Sequence, residues 1–186
     1  ALPFQWSVHR WDHQEQEITL DDGLGYLDFF NPDMARQFLT SLFEAVGEVG
    51  PIFVHNASFE RSKLRALAER NDCHNLKYEV ERLIKRIVDT LDLTRAGFYA
   101  PVMNGSYSLK DIVKAIPTNI DYASEDALSG GGEAQIVWFK CTDPNTPQAD
   151  KDEWARRLKN YCAQDTLAMY HLMRYLADPG KFDMKQ

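Results

Sequence analysis

The chain has 186 residues, of which 44% are hydrophobic and 26% are charged, and its formal net charge is −7. This composition predicts one globular domain, residues 1–186, with a sizeable core. It excludes a membrane span, because no stretch approaches the roughly 18 apolar residues that such a span needs. The excess of acids argues against indiscriminate binding of nucleic acid through a basic surface. It leaves open a cleft in which metal ions meet phosphate groups.

The first residues predict extended structure. Apolar and polar residues nearly alternate over 4–11, which is typical of a strand. Two more extended pieces follow at 18–20 and 26–30, and the Asp-Asp-Gly run at 21–23 predicts a tight turn between them. We therefore expect an antiparallel arrangement of strands at this end of the domain.

A helix and then a strand–turn–helix unit follow. Asn31 and Pro32 form a typical helix start, and Gly47 a typical helix end. The apolar run 52–55 predicts a buried central strand, which breaks at Asn56 directly into a helix. Functional residues gather at such carboxyl ends of strands.

Three further helices are predicted in the second half of the chain. Apolar spacing indicates one helix over 78–93, and Ser108 is a typical N-cap for a short helix after it. A helix capped by Ser124 is expected to be interrupted by the glycine triplet 130–132 and to resume over 133–139, since glycine disfavours helix.

The last helix is predicted over 152–177, with Tyr161 and Asp165 four residues apart on one face. Its apolar stripe consists of Leu158, Tyr161, Cys162, Met169, Leu172, Met173 and Leu176. A carboxylate on the buried side of a helix is costly unless something positive meets it. That partner is a metal ion on one interpretation; on the other, Asp165 is a capping residue or the partner of an arginine.

Two more acids stand next to apolar segments. Glu60 follows the predicted central strand, and Asp89 lies between Val88 and Thr90. Taken singly, Glu60 is explained as an acid favoured in the first turn of a helix, and Asp89 as a cap or a surface acid. The three cysteines carry no Cys-x-x-Cys spacing, which favours a reduced, cytoplasmic setting.

Taken together, these segments resemble the DEDD 3′–5′ exonucleases, in their order and spacing over 52–176. The run His-Asn-Ala-Ser-Phe-Glu at 55–60 is similar to the second motif of that superfamily, and Tyr161 with Asp165 resembles the third motif in its tyrosine variant. Residues 88–91 resemble the segment between those motifs, and Ser-Leu at 108–109 the helix that follows it.

A closer resemblance is to an uncharacterised bacterial domain family within that superfamily. It is carried by Asn-Ala-Ser-Phe-Glu at 56–60, by Asn-Gly-Ser-Tyr-Ser at 104–108 and by the glycine triplet 130–132. The resemblance implies an α/β, RNase H-like fold, in which a mixed sheet is flanked by helices on both faces.

The sequence departs from the superfamily pattern at two points. Glu60 replaces the usual Asp of the second motif, and the Asp-x-Glu of the first motif occurs nowhere in the chain. In the resembling family that motif lies upstream of a segment like 2–6, so we expect an N-terminal truncation that removes the first strand. The alternative is that Asp28 or Glu17 substitutes, although neither has the right spacing.

The resemblance also implies roles for individual residues. Glu60, Asp89 and Asp165 would be ligands of two Mg²⁺ or Mn²⁺ ions, and Tyr161, Asp165 and Glu60 would form the catalytic set, with Tyr161 orienting the attacking water. Substrate contacts are expected from Asn56, Phe59, Tyr107 and Lys110. Carboxylates suit these hard cations, and a pair of ions can stabilise both the attacking and the leaving oxygen of a phosphodiester.

The expected function is therefore metal-dependent 3′–5′ hydrolysis at the ends of single-stranded DNA or RNA, weak or absent in a chain that lacks the first motif. The first rival is a catalytically degenerate module that binds nucleic acid or protein on the same fold. The second is a structural domain whose acidic face is incidental. A fold shared by many functions does not choose among them.

Overall fold

A computed structural model describes residues 3–11, 18–19, 25–29, 31–122, 128 and 130–178 of the chain. Within these ranges the protein is mixed α/β, with most of the chain in helices and the strands in small sheets. Among the described helices, none combines the length and apolar character that a bilayer crossing requires.

The described elements follow one another in the order of the chain. The strands are β1 (Gln5–Ser7), β2 (Arg10–Trp11), β3 (Ile18–Thr19), β4 (Gly25–Leu27), β5 (Ile52–Val54) and β6 (Ile87–Asp89). The α-helices are α1 (Met34–Val46), α2 (Ala57–Ala68), α3 (Lys77–Lys85), α4 (Thr90–Gly97), α5 (Leu109–Ile112), α6 (Gly131–Thr142) and α7 (Gln148–Ala177).

The first four strands are paired as two nested antiparallel ladders. β1 pairs with β4 in the register Gln5↔Leu27, and β2 pairs with β3 in the register Arg10↔Thr19. The single strand predicted over 4–11 is therefore wrong in detail. Two residues separate β1 from β2 and five separate β3 from β4, so one continuous register is impossible. The turn predicted at 21–23 lies outside the described residues.

β5 and β6 form a parallel pair in the register Ile52↔Ile87, which confirms the strand predicted after Pro51. The single helix predicted over 78–93 is wrong, because α3 ends at Lys85 and β6 precedes α4. The pattern from 80 to 91 satisfies helical spacing, but Ile87 and Val88 are β-branched and pair with β5, which is half-buried and not buried as predicted. Tertiary pairing here overrides the local periodicity.

The ends of two helices also differ from expectation. Helix α1 begins at Met34, after Asp33 in the N-cap position, and ends at Gly47, whose φ of 58° favours glycine. Helix α6 begins at Gly131, so two of the three glycines are helical, contrary to prediction. Burial of Val137 in this helix, near Leu158 of α7, offsets the unfavourable propensity of glycine. The predicted cap Ser124 lies outside the described residues.

Helices cover both sides of β1. Trp6 points into a core shared with α1, α2 and α3. The neighbouring residues Gln5 and Ser7 point the other way, as the period of a strand requires. The Gln5 amide donates to the Leu158 carbonyl oxygen at 2.5 Å, and Ser7 lies 3.2 Å from the Thr166 hydroxyl, oxygen to oxygen. These contacts hold α7, the helix with the candidate site residues, against the sheet.

We predict that Leu67→Ala destabilises the protein by about 2–5 kcal/mol, because this side chain of α2 is 1% exposed in the core and its loss leaves a cavity. Urea denaturation measures the change. Leu93→Ala is the control, since Leu93 is 42% exposed and should cost less than about 1 kcal/mol. Equal costs for the two variants would contradict the packing described here.

Candidate functional site

The site begins at the sharp turn between β5 and α2. Asn56 has a φ of 75°, a left-handed conformation that asparagine tolerates better than most residues. Just before it, His55 donates from Nε2 to the carbonyl oxygen of Tyr107 at 2.9 Å, and its Nδ1 is 2.9 Å from the Thr90 hydroxyl. His55 therefore ties the end of β5 to the start of α4 and to the loop before α5.

Asp89 caps α4 and also holds the turn after β5. One carboxylate oxygen accepts the backbone N–H groups of Asn56 at 3.0 Å and Leu91 at 2.9 Å, and the other accepts that of Ala57 at 2.8 Å. Burial alone would raise the pKa of Asp89, but these donors and the nearby His55 hold it below its ordinary value. The capping role suggested by the sequence is confirmed, and a role as metal ligand stays a prediction.

Glu60 lies in the first turn of α2, as expected, but it is half-buried. Its Oε2 atom is buried and has no hydrogen-bond partner within the described part of the chain. Burial raises the pKa of Glu60 to about 7; its own backbone N–H opposes this increase, and the negative charge of Asp89 adds to it. Glu60 is therefore a carboxylate whose ionised form lacks a compensating positive charge.

Asp165 lies on α7 and is held by two tyrosines. Tyr122 donates from its hydroxyl to the Asp165 carboxylate at 2.9 Å, and Tyr161, one turn earlier on α7, also hydrogen-bonds to it. Burial raises the pKa of Asp165, while these hydrogen bonds and the charges of Lys110 and His55 oppose the increase. Burial and the adjacent carboxylate raise the pKa of both tyrosines, which keeps their hydroxyl groups protonated as donors.

Lys110 lies over the rings of these tyrosines. Its Nζ atom is 5.1 Å from the ring centroid of Tyr122 and 5.6 Å from that of Tyr161. The ammonium group also donates to the carbonyl oxygen of Leu128 at 3.1 Å. Lys110 therefore brings positive charge close to Asp165. Its predicted contact with substrate remains a prediction.

Sequence reasoning did not single out Tyr122. The residue lies 43 positions before Asp165, in a segment without a recognisable motif. The only signal was an aromatic side chain next to a mostly polar segment, 118–121, in which Ile120 is the single apolar residue. That signal does not distinguish a site residue from a core residue.

Acids from three elements interact around His55. Its charge lowers the pKa of Asp89 at the end of β6 and that of Asp165 on α7. The charge of Asp89 in turn raises the pKa of Glu60 on α2. These interactions relate Glu60 directly to Asp89, and Asp165 to Asp89 only through His55. We call the three acids, which are distant in the sequence, the acid cluster (Glu60, Asp89 and Asp165).

The predicted substrate-contact residues adjoin this cluster. Phe59 is 56% exposed, directly before Glu60. Tyr107 is half-buried, and its backbone accepts the hydrogen bond from His55. The Asn56 side chain accepts a hydrogen bond from Ser58 at 2.8 Å. The roles of these residues in substrate binding stay predictions.

The donor atoms of the acid cluster fit Mg²⁺ or Mn²⁺ in chemical type, since both ions take hard oxygen ligands. The unpartnered Oε2 of Glu60 is the atom that a cation would compensate best. The described residues supply fewer ligands than an ion normally takes. No group of three or more His, Cys, Asp or Glu is placed to hold an ion in the described ranges.

Of the two substitutes considered for the first motif, only Asp28 lies in the described part of the chain, and it has a different role. Asp28 accepts hydrogen bonds from the Tyr26 hydroxyl and the Asn31 backbone next to β4. Glu17 lies outside the described residues.

Fold and site together define an α/β domain in which half-buried acids follow a parallel strand pair and a further acid is hydrogen-bonded by tyrosine on α7. The family model described as "Domain of unknown function (DUF2779)" matches residues 1–108, and the chain belongs to this family. The match includes Glu60, Asp89 and Tyr107 but ends before Tyr161 and Asp165. In comparisons with curated proteins and with solved structures, no protein matches the chain.

We predict that Glu60→Gln changes the pH dependence of stability. Because the folded protein raises the pKa of Glu60 from 4.5 to about 7, it binds more protons than the unfolded chain between these values. Its free energy of unfolding therefore falls as the pH rises through this window, and glutamine removes that fall. The variant should gain about 1–2 kcal/mol relative to the wild type between pH 4.5 and pH 8, after allowance for partial exposure.

Urea denaturation at several pH values, with EDTA present, measures this difference. Glu79→Gln is the matched control, since Glu79 also lies in the first turn of a helix but is exposed. A flat difference between Glu60→Gln and the wild type would contradict the burial of an uncompensated carboxylate.

Proposed function

We propose that the chain forms the core of an RNase H-like, metal-dependent 3′–5′ exonuclease domain that acts on the ends of single-stranded DNA or RNA. The observation that best supports the proposal is the hydrogen-bonded pair Tyr161–Asp165 on α7, next to His55 at the end of β5. The resemblance to the DEDD exonucleases assigns these residues to two separate motifs, and the folded chain brings them close to each other.

The arrangement of strands also supports the proposal. β1 and β4 are antiparallel, β5 and β6 are parallel, and Trp6 of β1 packs in the same core as Val54 of β5. Among the described residues, no ladder joins β1 to β5. A further strand that carries an Asp-x-Glu pair would join the two ladders into one mixed sheet and add two carboxylates to the acid cluster.

Each residue of the proposed site would have a separate role in phosphodiester hydrolysis. Two divalent ions would stabilise the charge that develops on the attacking and leaving oxygens of the phosphodiester. Glu60 and Asp165 would hold them, and Tyr122 fixes the orientation of the Asp165 carboxylate. Tyr161, one turn before Asp165 on α7, would orient the attacking water through a hydrogen bond to its hydroxyl oxygen, which can accept as well as donate.

One observation favours a second candidate, a catalytically inactive module that binds nucleic acid. Asp165 is compensated without an ion, by Tyr122, Tyr161 and the nearby Lys110. A carboxylate satisfied in this way gains less from a metal than an orphaned one does. On this alternative the protein binds single-stranded oligonucleotides but does not degrade them in the presence of Mn²⁺.

We predict that Asp165→Asn in the full-length gene product lowers Mn²⁺-stimulated degradation of single-stranded oligonucleotides by at least about 100-fold. Even residues that only support metal ligands contribute about 10- to 100-fold to activity, and a ligand should contribute more. The assay follows loss of 3′ nucleotides from 5′-labelled DNA and RNA oligonucleotides by gel electrophoresis.

Asp150→Asn is the control for this experiment, because Asp150 is an exposed acid on the same helix, in its first turn. It should retain the activity of the wild type. Full activity in Asp165→Asn would overturn the exonuclease proposal. An inactive wild type that still binds the oligonucleotides would select the binding module.

A further inference from the structure

We infer that two ring–cation pairs beside the acid cluster form a surface that binds the unpaired bases of single-stranded nucleic acid, with Tyr99 and Arg95 as principal contacts. We call it the ring–cation surface (Phe59, Lys63, Arg95, Tyr99 and Tyr107). The inference deepens the proposed function, because it identifies how the substrate of the same site would be held.

The first pair lies on α4 and the loop that follows it. The guanidinium carbon of Arg95 is 5.8 Å from the ring centroid of Tyr107. The ring of Tyr99 is 6.3 Å from the same centroid, tilted by 45°, and the Tyr99 residue is 55% exposed. The exposed Tyr99 ring and the Arg95 guanidinium plane thus both adjoin the Tyr107 ring, and each offers a flat face on which a base can stack.

The second pair lies in the first two turns of α2. The Nζ atom of Lys63 is 5.2 Å from the ring centroid of Phe59, a residue that is 56% exposed. Because more than half of Phe59 is exposed, its ring contributes little hydrophobic stabilisation to the core. Contact with the face of a base would bury it.

The charges of both pairs are open to a ligand. Neither Arg95 nor Lys63 has a carboxylate partner among the residues that the structure describes. Other surface cations do have one: Arg65 pairs with Glu81 at 2.7 Å and Lys77 with Glu69 at 2.5 Å. Cations without an acid partner are able to meet phosphate groups without first breaking an ion pair.

The position of both pairs connects them to the proposed chemistry. Phe59 directly precedes Glu60, and the Tyr107 backbone is hydrogen-bonded to His55, whose charge acts on Asp89 and Asp165. A strand whose bases rest on these rings would have its sugar–phosphate backbone next to the acids. Bases of a duplex have their faces covered by neighbouring bases, so this surface fits single strands.

The test is the binding of a 5′-fluorescein-labelled dT12 oligonucleotide to the full chain in EDTA, followed by fluorescence anisotropy. Tyr99→Ala should weaken binding by about five- to tenfold, at the lower end of the effect of losing one stacking ring. Arg95→Gln should weaken it and reduce the salt dependence by about one phosphate contact. Tyr99→Phe should stay within about twofold of the wild type, because it keeps the ring.

Tyr78→Ala is the matched control, since Tyr78 on α3 is 72% exposed and should not affect binding. Wild-type affinity in both Tyr99→Ala and Arg95→Gln would overturn the inference, and so would a wild type that does not bind dT12. Equal losses in Tyr99→Phe and Tyr99→Ala would also overturn it, since stacking needs only the ring.

The outcome is separable from that of the proposed function. Loss of dT12 binding in Tyr99→Ala, together with a wild type that has no Mn²⁺-stimulated activity, would keep the ring–cation surface and reject the exonuclease. Unchanged binding in the surface variants, together with loss of activity in Asp165→Asn, would do the reverse.

Discussion

The hydrogen bonds that Asp89 accepts from three backbone N–H groups hold the candidate site together. They join the turn after β5 to the start of α4, so that two βα units share one carboxylate. Hydrogen bonds to a charged acceptor are each stronger than neutral ones, and a carboxylate at a helix N-terminus also meets the positive end of its dipole. The orientation of α2, and with it the position of Glu60, depends on this arrangement.

Glu60 and Asp165 are both half-buried acids, but their charges are compensated differently. Asp165 accepts hydrogen bonds from Tyr122 and Tyr161 and lies near the ammonium group of Lys110. Glu60 has one oxygen without a partner in the described region and has Asp89 as a negative neighbour. A cation that entered the cluster would therefore stabilise Glu60 more than Asp165. Because of this difference, protonation of Glu60 would compete with metal binding more directly than protonation of Asp165 would.

The parts of the fold that sequence analysis predicted correctly depend on local signals. The apolar run of β5, the break at Asn56 and the Ser108 cap of α5 are each set by a few adjacent residues. β6 was missed because its residues also fit helical spacing, and only pairing with β5 decides between the two. Tyr122 was missed because its contact with Asp165 spans 43 positions and leaves no local pattern. The helical Gly131 likewise depends on packing between α6 and α7.

The capping role of Asp89 also limits the ways in which the acid cluster could hold metal. Its two oxygens already accept three N–H groups, and an ion that drew the carboxylate away would release the turn on which His55 and Glu60 depend. An unsatisfied N–H group at a buried helix start is costly. An ion that entered the cluster would therefore be favoured by ligands that are not structural caps, namely Glu60 and Asp165.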